Sequence, residues 1–256
     1  KITYKPDYER FKVSNPIVLG DWLLLKKRVY DASACTGAAV TVYLNGEKIG
    51  IKNFEDYINL YIGRKSETKR VFTEVNDRWQ VGICLSPEGE AEQVSFVNGI
   101  STDRGGRHVS HVMDNLSKKI IDSISESAKK KGVTIRPEFI KRNLFLFLKA
   151  TVVNPKFDTQ TKRKLVSLVK DFGSRCNLDD EFVGKVIKLG ILERAKKLAE
   201  FKAKENLGKK TDGKPRAKRV FHAKLVDAAE AGGSQSNKCT IVFTEGDSAS
   251  TFMAKG

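Results

Sequence analysis

The stretch NLFLFLKATVV (143–153) is an almost unbroken apolar run that ends at Asn154 and Pro155. A short apolar run bounded by a turn signal is typical of a strand that is covered on both faces. We therefore expect this segment to lie inside a sheet, with other parts of the chain packed on either side of it. The elements that flank it in sequence are the candidates for that covering.

Amphipathic helices are predicted on both sides of this strand. Before it, apolar residues recur at helical spacing, namely Val109, Val112, Met113, Leu116, Ile120, Ile124 and Ala128. That helix is predicted to stop at Lys129–Lys131 and Gly132, because cations in a last turn and a glycine beyond it end helices. After the strand, helices are predicted over 161–172 and 180–206. A parallel pair of strands is expected across the 109–131 helix.

Shorter elements are predicted in the first hundred residues. TVYLNGEKI (41–49) places Asn45-Gly46 between apolar runs, which indicates a hairpin with a type I′ turn. NFEDYINLYI (53–62) has helical spacing. RWQVGICL (78–85) and QVSFVNGI (93–100) are predicted to pair with each other as a hairpin. This alternation indicates an α+β fold, or α/β layers, in which a sheet is backed by long helices.

The charge of the chain points to a polyanionic partner. Lys and Arg number 47 against 31 acidic residues, so the formal net charge is +16 and the pI is about 9.6. Such a field attracts nucleic acid, although solvated lysine faces on a soluble basic protein would give the same composition. The hydrophobic fraction of 40% is enough for a sizeable core.

Cysteine usage and hydropathy argue against a zinc site and a membrane span. The cysteines lie far apart, at Cys35, Cys84, Cys176 and Cys239, and no Cys/His pair has zinc-ligand spacing. We expect free, buried thiols in a reducing compartment. The sequence has no signal peptide and no apolar run of transmembrane length. Because it starts at Lys1 and stops at Gly256 after an unfinished apolar run, we expect a fragment of a longer protein.

The motif Glu245-Gly246-Asp247-Ser248-Ala249 follows an apolar segment, KCTIVF (238–243), that is predicted to be a strand. A carboxylate at the carboxyl end of a strand, followed by a short acidic turn, suits a hard cation bound by oxygen. Mg²⁺ held there could stabilise charge on a phosphoryl group. An ordinary solvated turn would have the same composition, so five residues alone do not decide between the two.

A second candidate site is the loop NPKFDTQTKRK (154–164), in which Lys162 is predicted to open a helix. A lysine beside the free N–H groups of a helix N-terminus can hold an anion such as a terminal phosphate. A plain surface lysine is the alternative. The sequence contains no Walker P-loop, and no Ser-His-Asp or Cys-His arrangement can be argued from it.

The segment SFVNGISTDRGGRH (95–108) is a third candidate, since Gly105 and Gly106 allow tight backbone geometry before a helix. Its arginines could hold a phosphate, or the glycines could simply form a packing turn. His108 is either a structural hydrogen-bonding residue or a catalyst. The basic clusters Lys129–Lys131 and Lys209–Arg219 could neutralise phosphates of a duplex, or could be a helix end and a solvated linker.

The order of these motifs is more informative than any one of them. SFVNGI, GG-H, the triple lysine, QTK, DFGSRC (171–176), LVDAAEAGG (225–233) and EGDSA follow one another along the chain. This series resembles eukaryotic-type DNA topoisomerase II, of type IIA, over essentially the whole sequence. The upstream stretches KITYKPDYERF (1–11) and VTVYLNGEKI (40–49) also fit. The loop over 64–78 is short for the family, which suggests a compact member such as a viral one. EGDSA alone would also admit gyrase or primase.

The resemblance implies three domains. Residues 1–94 would be the C-terminal part of a GHKL-type ATP-binding domain. Residues 95–236 would be the transducer domain, with a left-handed β-α-β crossover, together with a basic linker. Residues 237–256 would begin the TOPRIM domain. The remaining ATP-site residues and the tyrosine nucleophile would lie outside this chain, so the fragment alone is not expected to be active.

The resemblance also implies residue roles. Gln160, Thr161 and Lys162 would contact ATP, with Lys162 at the γ-phosphate. Glu245 would hold Mg²⁺ and serve DNA cleavage, and Lys129, Lys130 and Lys131 would face a DNA duplex. The implied parent is a homodimeric, ATP-hydrolysing isomerase that passes one duplex through a transient double-strand break. This segment would sense the γ-phosphate and relay its presence to the DNA gate.

The implied location of the parent is the nucleus of a eukaryotic cell, or the host cytoplasm or virion of a virus, and not a membrane. Two other readings of the residues stay open. One is a non-catalytic nucleic-acid-binding module of similar fold. The other is an interaction segment of a chaperone or mismatch-repair ATPase, which would share the ATPase-plus-transducer plan without EGDSA.

Overall fold

A mixed sheet of five strands forms the centre of the described structure. The structure, a computed structural model of the chain, describes residues 2–12, 18–37, 39–129, 135–194, 196–197, 228 and 230–243, without the side chains of 124–129. In chain order the strands are β1 (Tyr43–Leu44), β2 (Glu47–Lys48), β3 (Arg70–Asn76), β4 (Trp79–Leu85), β5 (Glu92–Val97), β6 (Ile100–Ser101) and β7 (Leu144–Ala150). The five-stranded sheet has the order β3-β4-β7-β5-β6.

Helices cover both faces of this sheet. They are α1 (Leu19–Thr36), α2 (Phe54–Ile62), α3 (Arg107–Lys129), α4 (Pro137–Arg142) and α5 (Asp180–Val186). Residues of α1 and α2 share one apolar cluster with the sheet, and residues of α3, α4 and α5 share the other. The predicted α+β class, with a sheet backed by helices, is confirmed.

Strand β7 is the central strand of the sheet. The prediction of a strand covered on both faces, made from the opening apolar run, is confirmed. It pairs antiparallel with β4 and parallel with β5. Because successive side chains of a strand point to opposite faces, Leu146 and Leu148 join the cluster under α3 while Phe145 and Phe147 join the cluster under α2. All four are buried. A strand that is apolar on both faces is most stable between two other strands, and β7 occupies that position.

The predicted hairpin between β4 and β5 is wrong, because β7 lies between these two strands. The intervening segment, SPEGEAE (86–92), spans two strand spacings, roughly 10 Å, rather than making a tight turn. Its start is held by a 2.9 Å hydrogen bond from the Ser86 amide to the Asn143 carbonyl. The expected parallel pair across α3 is confirmed as β5 and β7. The left-handed sense of that crossover stays a prediction.

The hairpin and helix predicted near the N-terminus are confirmed. In the β1–β2 hairpin, Tyr43 pairs with Lys48, and both Asn45 and Gly46 have the positive φ angles of a type I′ turn, 52° and 86°. Helix α2 begins after Asn53, whose side chain accepts a 2.8 Å hydrogen bond from the Asp56 amide. Its inward residues Phe54, Tyr57 and Ile58 are fully buried.

The helix predicted over 161–172 is wrong. The chain there forms an extended arm that bridges Gly106 and Phe157 at Leu165, followed by a single short 3₁₀ turn at Val169–Asp171. The Leu165 amide and carbonyl bond to Gly105 and Arg107, and the local backbone bonds at Lys162, Asp171 and Phe172 span three residues rather than the four of an α-helix. Leu165 and Phe172 are buried as expected, but Val166 and Leu168 are 38% and 40% exposed. The apolar residues of this segment therefore belong to a loop in which only some side chains, such as Leu165 and Phe172, are buried.

The first part of the helix predicted over 180–206 is confirmed as α5. Asp179 caps α5 by accepting a hydrogen bond of 2.6 Å from the Phe182 amide. A wider helical turn follows at Ile187–Ile191, where Gly190 has a φ of 97°. Beyond residue 197 the prediction lies outside the described residues.

The strand predicted at KCTIVF (238–243) is wrong. A 3₁₀ turn at Ser236–Lys238 is followed by residues that pair with no strand in the described part of the chain. Ile241 and Phe243 are 71% and 87% exposed. An apolar β-like run becomes a strand only when another strand accepts and donates its backbone hydrogen bonds.

The predicted domain division after residue 94 falls inside β5. Strands β3 and β4, which precede it, belong to the same sheet as β5 and β7. The division stays a prediction. The cysteines are unpaired, as expected, with Cys84 and Cys176 buried and Cys35 and Cys239 partly exposed. Within the described ranges, no helix is long and apolar enough to cross a membrane.

Candidate functional site

The QTK motif lies at the tip of a hairpin-like loop over residues 156–166. The Val166 amide donates to the Lys156 carbonyl at 2.9 Å, and the Asp158 amide donates to the Lys164 carbonyl at 3.2 Å. The tip closes with a 3.0 Å bond from the Lys162 amide to the Thr159 carbonyl, three residues earlier. We call residues 156–166 the QTK loop.

The three side chains predicted to contact ATP are exposed at this tip. Gln160, Thr161 and Lys162 all face solvent. Lys162 has a φ of 57°, in the left-handed region, so it occupies a turn and does not begin a helix. The prediction that it lies beside a helix N-terminus is therefore wrong. Lys162 forms no ion pair with any residue that the structure describes. Its ammonium group is available to an anion.

The base of the QTK loop is fastened to the segment that precedes α3. The Arg104 amide donates to the Arg163 carbonyl at 3.0 Å, and the Leu165 amide donates to the Gly105 carbonyl at 3.1 Å. A third bond of 3.1 Å runs from the Arg107 amide to the Leu165 carbonyl. These bonds join the loop directly to the first residue of α3.

Gly106 makes this close approach possible. Its φ is 135°, and a Cβ placed on it would lie 2.3 Å from the Leu165 carbonyl oxygen. Gly105, with a φ of 65°, turns the chain just before it. The packing-turn interpretation of the two glycines is therefore confirmed.

A bidentate ion pair adds a side-chain contact at the same place. Arg163 Nε lies 2.9 Å from each carboxylate oxygen of Asp103, and Nη2 also contacts Oδ2. The hydrogen bonds from Arg163 hold the pKa of Asp103 below its usual value. Nothing in the sequence indicated this pair, because its members are sixty positions apart.

Positive charge continues from the tip of the loop toward α3. A cleft of about 640 Å³ is lined by Arg104, Arg107 and Lys164 and also by Asp103 and Gln93. The phosphate-binding interpretation of this segment stays a prediction. Together with Lys162, these cations make one side of the described structure favourable for a polyanion.

His108 has a structural role. It is fully buried, and its Nε2 lies 3.1 Å from the Thr102 hydroxyl, which contacts the Ser95 hydroxyl at 2.6 Å. Burial lowers the pKa of His108 to about 3. A buried histidine with a lowered pKa stays neutral near pH 7, and His108 links the start of α3 to Thr102, the residue that follows β6.

Acid should weaken the fold through His108. Between its folded pKa of about 3 and its unfolded value of 6.5, the unfolded chain binds the extra proton, so stability falls as the pH drops below 6.5. We expect a loss of up to about 1.4 kcal/mol per pH unit. The measurement is urea unfolding at pH 7 and pH 5, with His108→Gln as the comparison. The free energy of unfolding of this variant should be lower at pH 7 than that of wild type, but it should change less between pH 7 and pH 5. If both proteins lose the same stability between these pH values, His108 is not the group responsible.

The side chains of the other predicted site residues lie outside the described part of the structure. Lys129 is the last residue of α3, and its side chain is not described. Lys130, Lys131 and Glu245 lie outside the described residues. No group of three or more metal-ligating side chains occurs in the described ranges.

Comparison with known proteins agrees with the order of motifs. The family model for DNA gyrase B matches residues 50–218. DNA topoisomerase 2 of Arabidopsis thaliana is 41% identical over 264 residues, covering 100% of this chain, and that of Drosophila melanogaster is 40% identical over the same length. The chain spans only 17% and 18% of these two relatives.

A solved structure shows the same fold. The ATPase region of Saccharomyces cerevisiae topoisomerase II superposes with a TM-score of 0.66 at 36% identity, over 77% of this chain and 49% of that one. The resemblance to eukaryotic-type topoisomerase II is confirmed. It decides against a non-catalytic nucleic-acid-binding module of similar fold and against a chaperone or mismatch-repair segment. This chain belongs to the DNA gyrase B family, as a homologue of the eukaryotic DNA topoisomerases 2.

Proposed function

We propose that this chain is a segment of an ATP-dependent type II DNA topoisomerase that passes one duplex through a transient double-strand break. The observation that carries the proposal is the QTK loop, whose tip presents Lys162 to solvent while its base is bonded to α3. The 41% identity to a DNA topoisomerase 2 along the whole chain supports it.

The tip has the chemistry needed for a terminal phosphate. Lys162 supplies a point cation, and the Gln160 amide and Thr161 hydroxyl can donate hydrogen bonds beside it. Bound ATP would supply the transferable γ-phosphoryl group. The role of Lys162 is to stabilise charge on that group and to make the position of the loop depend on its presence.

A change at the tip has a physical route to the far end of α3. The loop base is bonded to Arg104, Gly105 and Arg107, so α3 follows the loop if the loop moves. This helix has 23 residues and is therefore about 34 Å long. Lys129, Lys130 and Lys131 at its carboxyl end are proposed to contact the DNA phosphates, which makes that contact dependent on salt.

The remaining roles rest on the motifs. Glu245 is proposed to hold Mg²⁺ and to act in DNA cleavage, in a TOPRIM domain that begins at residue 237. The parent is proposed to be a homodimer that acts on double-stranded DNA, in the nucleus or, for a viral source, in the host cytoplasm or virion. Pairing of β3 and β4 with β7 favours a transducer domain that begins before Arg70 rather than after residue 94.

The test of the ATP contact is Lys162→Ala in the full-length protein, with Lys156→Ala as the matched control. Lys156 is an exposed lysine at the base of the same loop. We expect kcat for ATP hydrolysis to fall on the order of a hundredfold in Lys162→Ala, as when one preorganised donor to a transition state is removed. Lys156→Ala should behave as wild type, and neither change should lower the melting temperature.

Decatenation of linked DNA circles tests the wider proposal. Wild type should separate the circles with ATP, and Glu245→Ala should lose cleavage while it retains ATP hydrolysis. Equal ATP turnover in Lys162→Ala and Lys156→Ala would show that the γ-phosphate contact is misassigned. A wild-type protein that binds DNA and never passes a strand would remove the topoisomerase assignment.

A further inference from the structure

We propose that Asp103 and Arg163 are positioning residues, which form a latch that holds Lys162 where it can meet the terminal phosphate of a nucleotide. The inference rests on the proposed ATP contact of Lys162. It adds two residues, contributed by two separate segments of the chain, on which the contact between Lys162 and ATP depends.

The latch acts directly beside Lys162. Arg163 is the next residue in the chain, and its guanidinium engages both carboxylate oxygens of Asp103. Its carbonyl accepts a hydrogen bond from the Arg104 amide, so backbone and side chain are both fastened to the same turn. A bidentate pair fixes orientation as well as distance.

The fold does not depend on this ion pair. The loop base is secured by buried Leu165, by its backbone bonds to Gly105 and Arg107, and by the Ser167 hydroxyl, which accepts a 2.7 Å bond from the Lys156 amide. The two latch side chains are 43% and 47% exposed. Exposed ion pairs contribute little to global stability, so their removal should leave the chain folded.

The tip, in contrast, has little else to hold it. Described hydrogen bonds of Asp158, Thr159, Thr161 and Lys162 run to other residues of the QTK loop. Lys162 also has a left-handed backbone, which a lysine rarely adopts without support. Arg163 is the point nearest the tip at which a side chain ties the loop to another segment.

The Asp103–Arg163 ion pair also determines which of the neighbouring cations is free to bind the phosphate. Residues 162–164 read Lys-Arg-Lys, so three cations follow one another. Asp103 pairs with the middle one and so holds its guanidinium at the segment that precedes α3. Without Asp103, Arg163 would compete with Lys162 for the same anion.

The experiment is a charge-swap cycle in the full-length protein. Arg163→Gln and Asp103→Asn are compared with the double variant Asp103→Arg/Arg163→Asp. The matched control is Lys185→Gln, which removes an exposed ion pair with Glu181 on α5, away from the loop. The readouts are kcat and KM for ATP with DNA present, the melting temperature, and the salt dependence of kcat.

We expect each single variant to lower kcat about tenfold while KM changes less than about twofold, because misplacing one catalytic contact lowers turnover more than ground-state binding. The double variant should recover most of the loss, and Lys185→Gln should show none. High salt should lower kcat of wild type toward that of the single variants, since an exposed pair is screened. Melting temperatures should stay within about 2 °C of each other.

Two results would overturn the latch. One is normal kcat in both single variants while Lys162→Ala is impaired, which would leave the ATP contact intact as an assignment. The other is impaired singles that the charge swap does not rescue. Normal turnover in Lys162→Ala is a different result, since it would remove the proposed ATP contact itself.

Discussion

Gly106→Ala is expected to destabilise the chain by at least about 3 kcal/mol, combining backbone strain with overpacking. The new Cβ would lie 2.3 Å from the Leu165 carbonyl oxygen and 2.6 Å from its amide nitrogen. Both are backbone atoms, so no side-chain rotation relieves the clash. The φ of 135° is one that residues other than glycine rarely adopt. In this variant, either the QTK loop separates from the start of α3 or the backbone around residue 106 remains strained.

Urea unfolding followed by circular dichroism measures this change, and Gly184→Ala is the matched control. Gly184 lies inside α5, and a Cβ there would meet nothing within 4 Å. Alanine at this position should stabilise the helix by about 0.5–1 kcal/mol. The two Gly→Ala changes should therefore have opposite signs. A Gly106→Ala protein as stable as wild type would mean that the loop and α3 are not in close contact.

The same contact gives Gly106→Ala a functional consequence. Arg107, which donates to Leu165, is the first residue of α3, and Leu165 lies three residues after Lys162. A loop whose backbone bonds to α3 are broken no longer transmits a change at its tip to the helix, whereas the Asp103–Arg163 side-chain pair, which precedes α3, can still hold Lys162. We expect such a protein to lose DNA stimulation of ATP hydrolysis more than the basal rate, which a comparison with and without DNA would measure.

The sequence predicted those elements whose signals are local. The period of α3, the type I′ turn at Asn45-Gly46 and the apolar run of β7 each depend on residues close together in the chain. The burial of β7 followed as well, because its apolar run needs covering on both faces. The predicted stop of α3 at Lys131 and Gly132 lies outside the described residues and stays a prediction.

What the sequence did not predict depends on partners far away in the chain. RWQVGICL and QVSFVNGI look like a hairpin until β7, some fifty positions later, is placed between them. The apolar spacing of Leu165, Val169 and Phe172 mimics a helix, yet the backbone of this segment bonds to Gly105, Arg107 and Val153. Propensity does not decide such cases, because tertiary hydrogen bonds outweigh it.

The candidate site divides in the same way. Lys162 was identifiable from its motif, and its exposure agrees with a ligand contact. Its backbone conformation was mispredicted, since the loop was taken for the start of a helix. Asp103 and Arg163 gave no signal at all, because an ion pair between two loops has no periodicity and no spacing rule.

Trp79 joins the central sheet to the segment that follows the QTK loop. It is the first residue of β4, it is fully buried, and its Nε1 donates a 2.8 Å hydrogen bond to the Ser174 hydroxyl. Its ring lies 5.9 Å from that of Phe172 and 6.2 Å from that of His111 on α3. One side chain of β4 therefore contacts both a helix and the loop that contains Phe172 and Ser174.

Trp79→Ala is expected to cost about 3–5 kcal/mol, a large part of the 5–15 kcal/mol that typically stabilises a domain. Trp79→Phe should cost less, since it retains an aromatic ring and loses the N–H donor to Ser174. Trp22→Ala is the control, because Trp22 is 39% exposed on α1 and should matter by under about 1 kcal/mol. Urea unfolding followed by circular dichroism compares all three without relying on tryptophan fluorescence. Removing a ring that is packed between β4, α3 and the Phe172 segment leaves a cavity that these elements cannot fill. If Trp79→Ala and Trp22→Ala cost the same free energy of unfolding, Trp79 does not hold these three elements together.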